Sequence, residues 1–180
     1  MSHENDMLFL RRNAHRFSGT VLEVGSKRYK GHVMDVRSLF SDVLGVDQEP
    51  GAGVDVVHDF LQPFDAQFDG IVCCNVLEHS PKPWVVARNL MECLRPGGVL
   101  VASTPWIWRR HNYPGDFCRF SVEGLKAVFD GLSWVDEGYA TTAVGEFLSD
   151  EEWRKGFGIR SKGVDRNAVI SELAYVCGVK

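Results

Sequence analysis

The sequence predicts a single α/β unit built on an open, doubly wound, mostly parallel sheet, and three observations carry that reading. Short apolar runs bounded by glycine, proline or acids recur through the first two thirds of the chain, with helix-spaced segments between them. Such alternation gives parallel strands joined by right-handed crossovers. The run at 69–74, Asp-Gly-Ile-Val-Cys-Cys, is apolar after Gly70, as befits a central strand buried on both faces. A β-rich segment at 172–179 follows the alternating part as a terminal strand.

Taken in order, residues 1–19 are polar except for Met7 to Leu10 and read as a short N-terminal helix or arm. Val21 to Val24 form a first strand ending at Gly25. Residues 32–40 place Val33, Met34, Val36, Leu39 and Phe40 at spacings that predict a helix. Val43 to Asp47 are a second strand. Gln48 to Gly53 contain Pro50, Gly51 and Gly53 and form a turn, and Val54 to Val57 are a third strand. After the fourth strand at 69–74, Pro81 and Pro83 open a helix that Arg95-Pro-Gly-Gly98 stops. Val99 to Ser103 are a fifth strand, Ser121 caps a helix running through Leu125 and Val128, and Leu132 to Thr141 are a sixth strand. Residues 143–170 are rich in charge and glycine. They read as an inserted loop or lid carrying Trp153, Arg154, Lys155, Arg160 and Lys162, with a helix near 149–156.

Composition narrows the function classes. A chain of 180 residues, 44% hydrophobic and 24% charged, matches a folded single domain, here 1–180, rather than a disordered one. The net charge of −4 argues against a nucleic-acid partner, which needs a basic face. Cysteines 73, 74, 93, 118 and 177 are odd in number and lack CxxC spacing, so neither a disulfide framework nor a metal site is expected. Reduced thiols, no signal-peptide core and no apolar run near the ~20 residues of a membrane span point to a soluble, cytoplasmic protein. Nothing in the sequence fixes an oligomeric state.

In open α/β sheets, ligands bind beyond the carboxyl ends of the strands. The first strand ends in Glu23-Val24-Gly25-Ser26 and the second in Asp47, next to Gln48. Asp59-Phe60 follow the third strand, Asn75 and then Glu78-His79 the fourth, and Thr104-Pro105-Trp106 the fifth. This is a set of acceptors without a basic cradle. An acid ending the second strand can accept from ribose hydroxyls. Asp59 can accept from an exocyclic amine, and an adjacent aromatic can cover a purine face. The first loop, Gly25-Ser-Lys-Arg-Tyr-Lys-Gly31, lacks GxGxxG spacing, and no GxxxxGK[ST] loop occurs, so pyrophosphate and nucleoside-triphosphate sites lose weight.

These residues resemble the class I S-adenosylmethionine-dependent methyltransferases of the methyltransferase-11/23-like group, over residues 20–141. VLEVG at 21–25 is similar to the family's first motif, with Ser26 at the usual second glycine position and Gly31 as the next glycine. Asp47 matches the ribose-binding acid, and Asp59 and Phe60 match the adenine-contacting pair. FDGIVCCNVLEH at 68–79 resembles the fourth-strand motif, and LRPGGVLVASTP at 94–105 the following turn and strand. HNYPGDFCRFSVEGL at 111–125 resembles a segment found after the fifth strand. The resemblance implies a Rossmann-like, three-layer α/β/α fold. Its seven strands would run in order 3-2-1-4-5-7-6, with strand seven antiparallel. It also implies S-adenosyl-L-methionine as cofactor, held by Glu23, Gly25, Ser26, Gly31, Asp47, Gln48, Asp59, Phe60 and Asn75.

The reaction implied is methyl transfer to an oxygen or nitrogen of a small molecule, such as a sugar or another metabolite. His111 is a candidate base, with an ordinary pKa of about 6.5. Asp116 would orient it and Arg119 would fork onto a substrate anion. The plainer alternative is an Asp116–Arg119 ion pair bracing the Tyr-Pro-Gly-Asp turn that includes Tyr113. His79 is a candidate to face the methyl group or to cap a helix. Trp106, Trp108, Arg109 and Arg110 read as a substrate lip. Two other readings are a non-catalytic module that keeps the sheet, and an NAD-binding Rossmann enzyme, which the missing GxGxxG disfavours.

Overall fold

The structure, a computed structural model, describes residues 3–31, 33–111, 115–141, 143–149, 151–152 and 171–180. Eight strands form one sheet: β1 (Val21–Val24), β2 (Val43–Asp47), β3 (Val56–Val57), β4 (Phe68–Cys74), β5 (Leu94–Pro105), β6 (Ser133–Thr141), β7 (Phe147–Leu148) and β8 (Ser171–Val179). Their spatial order is β3-β2-β1-β4-β5-β8-β6-β7. The first five are parallel neighbours, and β8 enters antiparallel between β5 and β6. The expected order 3-2-1-4-5-7-6 is thus present, with the two-residue edge strand β7 added against β6.

Strand alternation sends side chains to two cores. Leu22, Val24, Ile71, Cys73, Leu100 and Ala102 face one side, where they pack beneath α2 (Pro83–Cys93) and α3 (Val122–Val128). Val21, Val72, Val99, Val101 and Tyr175 face the other, against Met7, Phe9 and Leu10 of α1 (His3–Asn13). The stack of Phe9 on Tyr175, with centroids 4.4 Å apart, fixes α1 over β8. Glu4 and Asp6 in the first turn of α1 and Arg11 and Arg12 in the last turn complement its dipole.

Local chemistry sets the helix starts. Pro83 supplies the fixed φ of a first helical residue, and Ser121 Oγ accepts from the Gly124 amide at 3.1 Å. Trp84 sits on the solvent side of α2, because Val86, Ala87, Leu90 and Cys93 make its buried stripe. Asn89 on the same helix donates to the Phe60 carbonyl at 2.8 Å and anchors the loop beyond β3.

Between β1 and β2 the expected helix over 32–40 is replaced by a single 3₁₀ turn, Val36–Ser38. Met34 and Val36 are buried while Val33 is exposed, which is a period of two rather than of 3.6. Ser38 folds back to the Asp35 carbonyl and Arg28 pairs with Asp35, so local polar bonds take the place of a helical ladder. Of the proposed insert, Tyr113's neighbourhood and the helix near 149–156, residues 112–114, 150 and 153–170 lie outside the described residues. No helix among the described residues is long and apolar enough to cross a membrane.

Candidate functional site

A cavity of about 770 Å³ opens at the carboxyl ends of β1, β2, β3 and β4. Gly25, with φ of +74°, turns the chain off β1. A Cβ there would lie 2.6 Å from Val76 Cγ2, so only glycine lets this loop pass the loop after β4. The amides of Gly25 and Ser26 both donate to the Val46 carbonyl and seat the loop over β2.

The acids at the strand ends are held by backbone donors. Asp47 accepts from the Lys27 amide through Oδ2 at 3.1 Å and from the Glu49 amide through Oδ1 at 3.0 Å. Each oxygen keeps a second lone pair for a ligand. Asp59 caps its own turn by accepting from Leu61 at 2.9 Å. Phe60 is buried, edge-on to His58. Glu23 is also buried, and burial pushes its carboxyl up to about 7 against the pull of Arg28 and Arg37. Asn75 holds φ of +55°, unusual for a side-chain-bearing residue, and its amide donates to Asp6 of α1 at 2.7 Å.

The far end of the cavity is lined by His79 and His111, whose rings stand nearly perpendicular at 4.9 Å between centroids. His79 ends a 3₁₀ turn, Leu77–His79, and its Nδ1–H donates to the Gly115 carbonyl at 2.5 Å. The Phe117 amide reaches back to the Glu78 carbonyl at 2.8 Å, so the segment after β5 docks on this turn. Burial, then the neighbouring His79, lowers the pKa of His111. Glu78, directly behind the two rings, is fully buried, and burial pushes its carboxyl up to about 8.

The cavity gathers Glu23, Gly25, Gly31, Asp47, Gln48, Asp59, Phe60, Asn75, His79 and His111 from the sequence-predicted residues. Ser26, Asp116 and Arg119 do not line it. Ser26 is buried behind the loop, where a Cβ on Gly45 would touch it. Asp116 is clamped by both Arg119 guanidinium nitrogens and accepts the His111 backbone amide at 2.8 Å. Its carboxyl lies far below the usual range, chiefly because of the bond from Arg119. Its nearer oxygen is 3.6 Å from His111 Nδ1, too long for a hydrogen bond. Trp106 packs on the core near Tyr139, and Arg109 lies over Trp108; none of the 106–110 run lines the cavity. Tyr29, Met34 and His58 do line it, without a motif that would have singled them out.

Known proteins share this fold. The methyltransferase-domain family matches residues 42–100, from β2 into β5. An uncharacterized methyltransferase of Mycolicibacterium paratuberculosis is 28% identical over 172 residues, covering 74% of this chain and 66% of that one. The chain spans about half to two thirds of the length of this relative and of a second uncharacterized methyltransferase, from Mycobacterium avium. Among solved structures, the N-methyltransferase NodS of Bradyrhizobium japonicum with bound S-adenosyl-L-homocysteine superposes with a TM-score of 0.63 at 14% identity. That match covers 99% of this chain and 86% of NodS. A SAM-dependent methyltransferase of Archaeoglobus fulgidus gives 0.63 at 17% identity, covering 99% and 95%. By its sheet topology the chain has the fold of these S-adenosylmethionine-dependent methyltransferases, and over residues 42–100 it is similar to the methyltransferase-domain family.

Proposed function

We propose that the chain binds S-adenosyl-L-methionine in the cavity above β1, β2 and β4 and methylates an oxygen or nitrogen of a small molecule such as a sugar or another metabolite. The observation that carries this reading is one continuous cavity with acceptors at its strand ends and two imidazoles at its far end. The donor set fits a cationic nucleoside. Asp47 and Asp59 offer lone pairs to ribose and adenine, and Phe60 and His58 offer apolar and aromatic surface. Glu23 gives negative charge beside the first loop once ionised.

When bound, the cofactor supplies a methyl group on a positively charged sulfur leaving group. The protein's part is positioning, worth a large share of the barrier once the nucleophile is aligned and water excluded. Asn75 and the Gly25 turn set the floor beside β4, and tying Asn75 to α1 keeps that floor rigid. His79 and His111 face the space left for the acceptor. His111, the candidate base, keeps a ring nitrogen for an acceptor proton, while His79 is fixed by its Nδ1–H bond to Gly115 with Nε2 turned toward Glu78. Such a base typically contributes ~10²–10⁴-fold. The reduced thiols, all five of them free, fit a cytoplasmic setting.

Titration calorimetry with S-adenosylmethionine, S-adenosylhomocysteine and NAD tests the reading. Binding of the first two is expected. Binding of NAD alone would overturn it, and binding of none would favour a non-catalytic module.

A further inference from the structure

Glu78, His79 and His111 form a second chemical feature at the same end of the cavity. Glu78 has no exposed surface, and its carboxylate oxygens meet no hydrogen-bond donor beyond the residue's own backbone among the described residues. Both ring nitrogens of His111 are also buried, with no side-chain hydrogen bond among those residues. Buried polar atoms are nearly always paired, so two such groups side by side need a cause. Their arrangement supplies one. One ligand-capable atom from each of Glu78, His79 and His111 lies within 4.8 Å of the other two. Nε2 of His79 stands 3.7 Å from Oε1 of Glu78.

The surroundings of His79 are those of a metal-binding imidazole. Its other nitrogen donates to a backbone carbonyl, that of Gly115, which fixes the tautomer and leaves Nε2 unprotonated toward Glu78. Metal–ligand bonds of ~2.0–2.2 Å place two donors of one ion roughly 3–4 Å apart. The three donors here need to close by roughly 1–2 Å to reach that spacing. No local motif marks the cluster, since Glu78-His79 and His111 belong to different loops.

We propose that Glu78, His79 and His111 hold one first-row divalent transition-metal ion, with two nitrogens and one carboxylate as ligands. Two imidazoles favour zinc, iron, cobalt or nickel over magnesium or calcium, which take all-oxygen sets. Three protein ligands leave coordination positions open, and both histidines line the cavity, so those positions face it. The class of ligand the ion takes there is an oxygen donor of the acceptor, such as a hydroxyl or a vicinal pair of them. The site stands on its own donors and does not depend on the methyltransferase reading.

The test uses tag-free full-length chain, stripped with a chelator and titrated with Co²⁺. One equivalent should bind and give the ligand-field absorption of nitrogen–oxygen coordination, stoichiometric Zn²⁺ should displace it, and excess Mg²⁺ should not. Glu78→Gln, His79→Ala and His111→Asn should each lose that absorption, while His58→Ala, which alters the cavity away from the cluster, should keep it. Circular dichroism identifies a variant that has not folded, and His111→Asn, at a partly exposed position, is then the deciding one. Absence of cobalt absorption in the parent chain, or its persistence in folded His111→Asn, would overturn the site. S-adenosylhomocysteine binding by the stripped chain, read by calorimetry, tests the cofactor reading separately.

Discussion

The side-chain amide of Asn75, at the end of the central strand β4, donates to the carboxylate of Asp6 on α1 across 2.7 Å. Ser103, on the neighbouring β5, donates to the other oxygen of the same carboxylate at 2.6 Å. The N-terminal helix is therefore wired to the floor of the cavity through one buried acid.

That acid should make the fold pH-sensitive. Burial raises Asp6 to about 6 from an ordinary 3.8, against the lowering effect of the bonds from Ser103 and Asn75. The folded state then binds more protons than the unfolded state between those values, so this group's contribution is full below about 3.8 and is lost as pH rises through about 6. Urea unfolding midpoints across that window should show the decline, and Asp6→Asn should flatten it. A slope that survives the substitution would assign it to another group.

Glu23 should couple cofactor binding to protons. Held up at about 7, it is only part-ionised near neutrality, and a cationic ligand stabilises its charged form. Affinity for S-adenosylmethionine should therefore rise as pH passes from 6 to 8, roughly the window around that value, with proton release on binding. Calorimetry in buffers of different ionisation enthalpy measures the release. Glu23→Gln should abolish both effects.

Asp47→Ala should weaken S-adenosylhomocysteine binding by about 1–3 kcal/mol, the scale of lost charged hydrogen bonds. It also frees the amides of Lys27 and Glu49, so a smaller loss of thermal stability should accompany it. Unchanged affinity in the folded variant would remove Asp47 from the ribose site.

Gly25→Ala should cost about 1–3 kcal/mol of stability through its positive φ and the contact with Val76. Adding Val76→Ala should recover the steric part and leave the backbone part. Denaturant melts of the four-member cycle separate the two contributions.

Much of the fold was legible because its signals are local. The apolar run ending at Cys74, the proline that opens α2 and the Ser121 cap each act within a few residues, and each stands where expected. The segment at 32–40 was misread because Met34 and Val36 sit in a pattern compatible with two periods, and tertiary burial chose the extended one. Acids at strand ends follow from the parallel sheet itself, so Asp47, Asp59 and Glu23 could be placed at the cavity from sequence. Asp116 could not. Only the folded loop shows its carboxylate committed to Arg119 and the His111 backbone. The convergence of Glu78 with His111 likewise depends on how the segment after β5 docks against the 3₁₀ turn, a long-range fact with no local code.

The placement of β8 has a consequence for the order of assembly. β6 reaches β5 only through β8, from Val99↔Val179 to Pro105↔Leu173 on one side and from Ser133↔Val179 to Thr141↔Ser171 on the other. During synthesis the parallel half can gather as its strands emerge. The hairpin of β6 and β7 must wait until residues 171–179 have left the ribosome and wedged into place. Until then two strand edges stand open at once, the condition under which nascent sheets pair with the wrong neighbour. The strand of this sheet that comes last in chain order is thus its keystone.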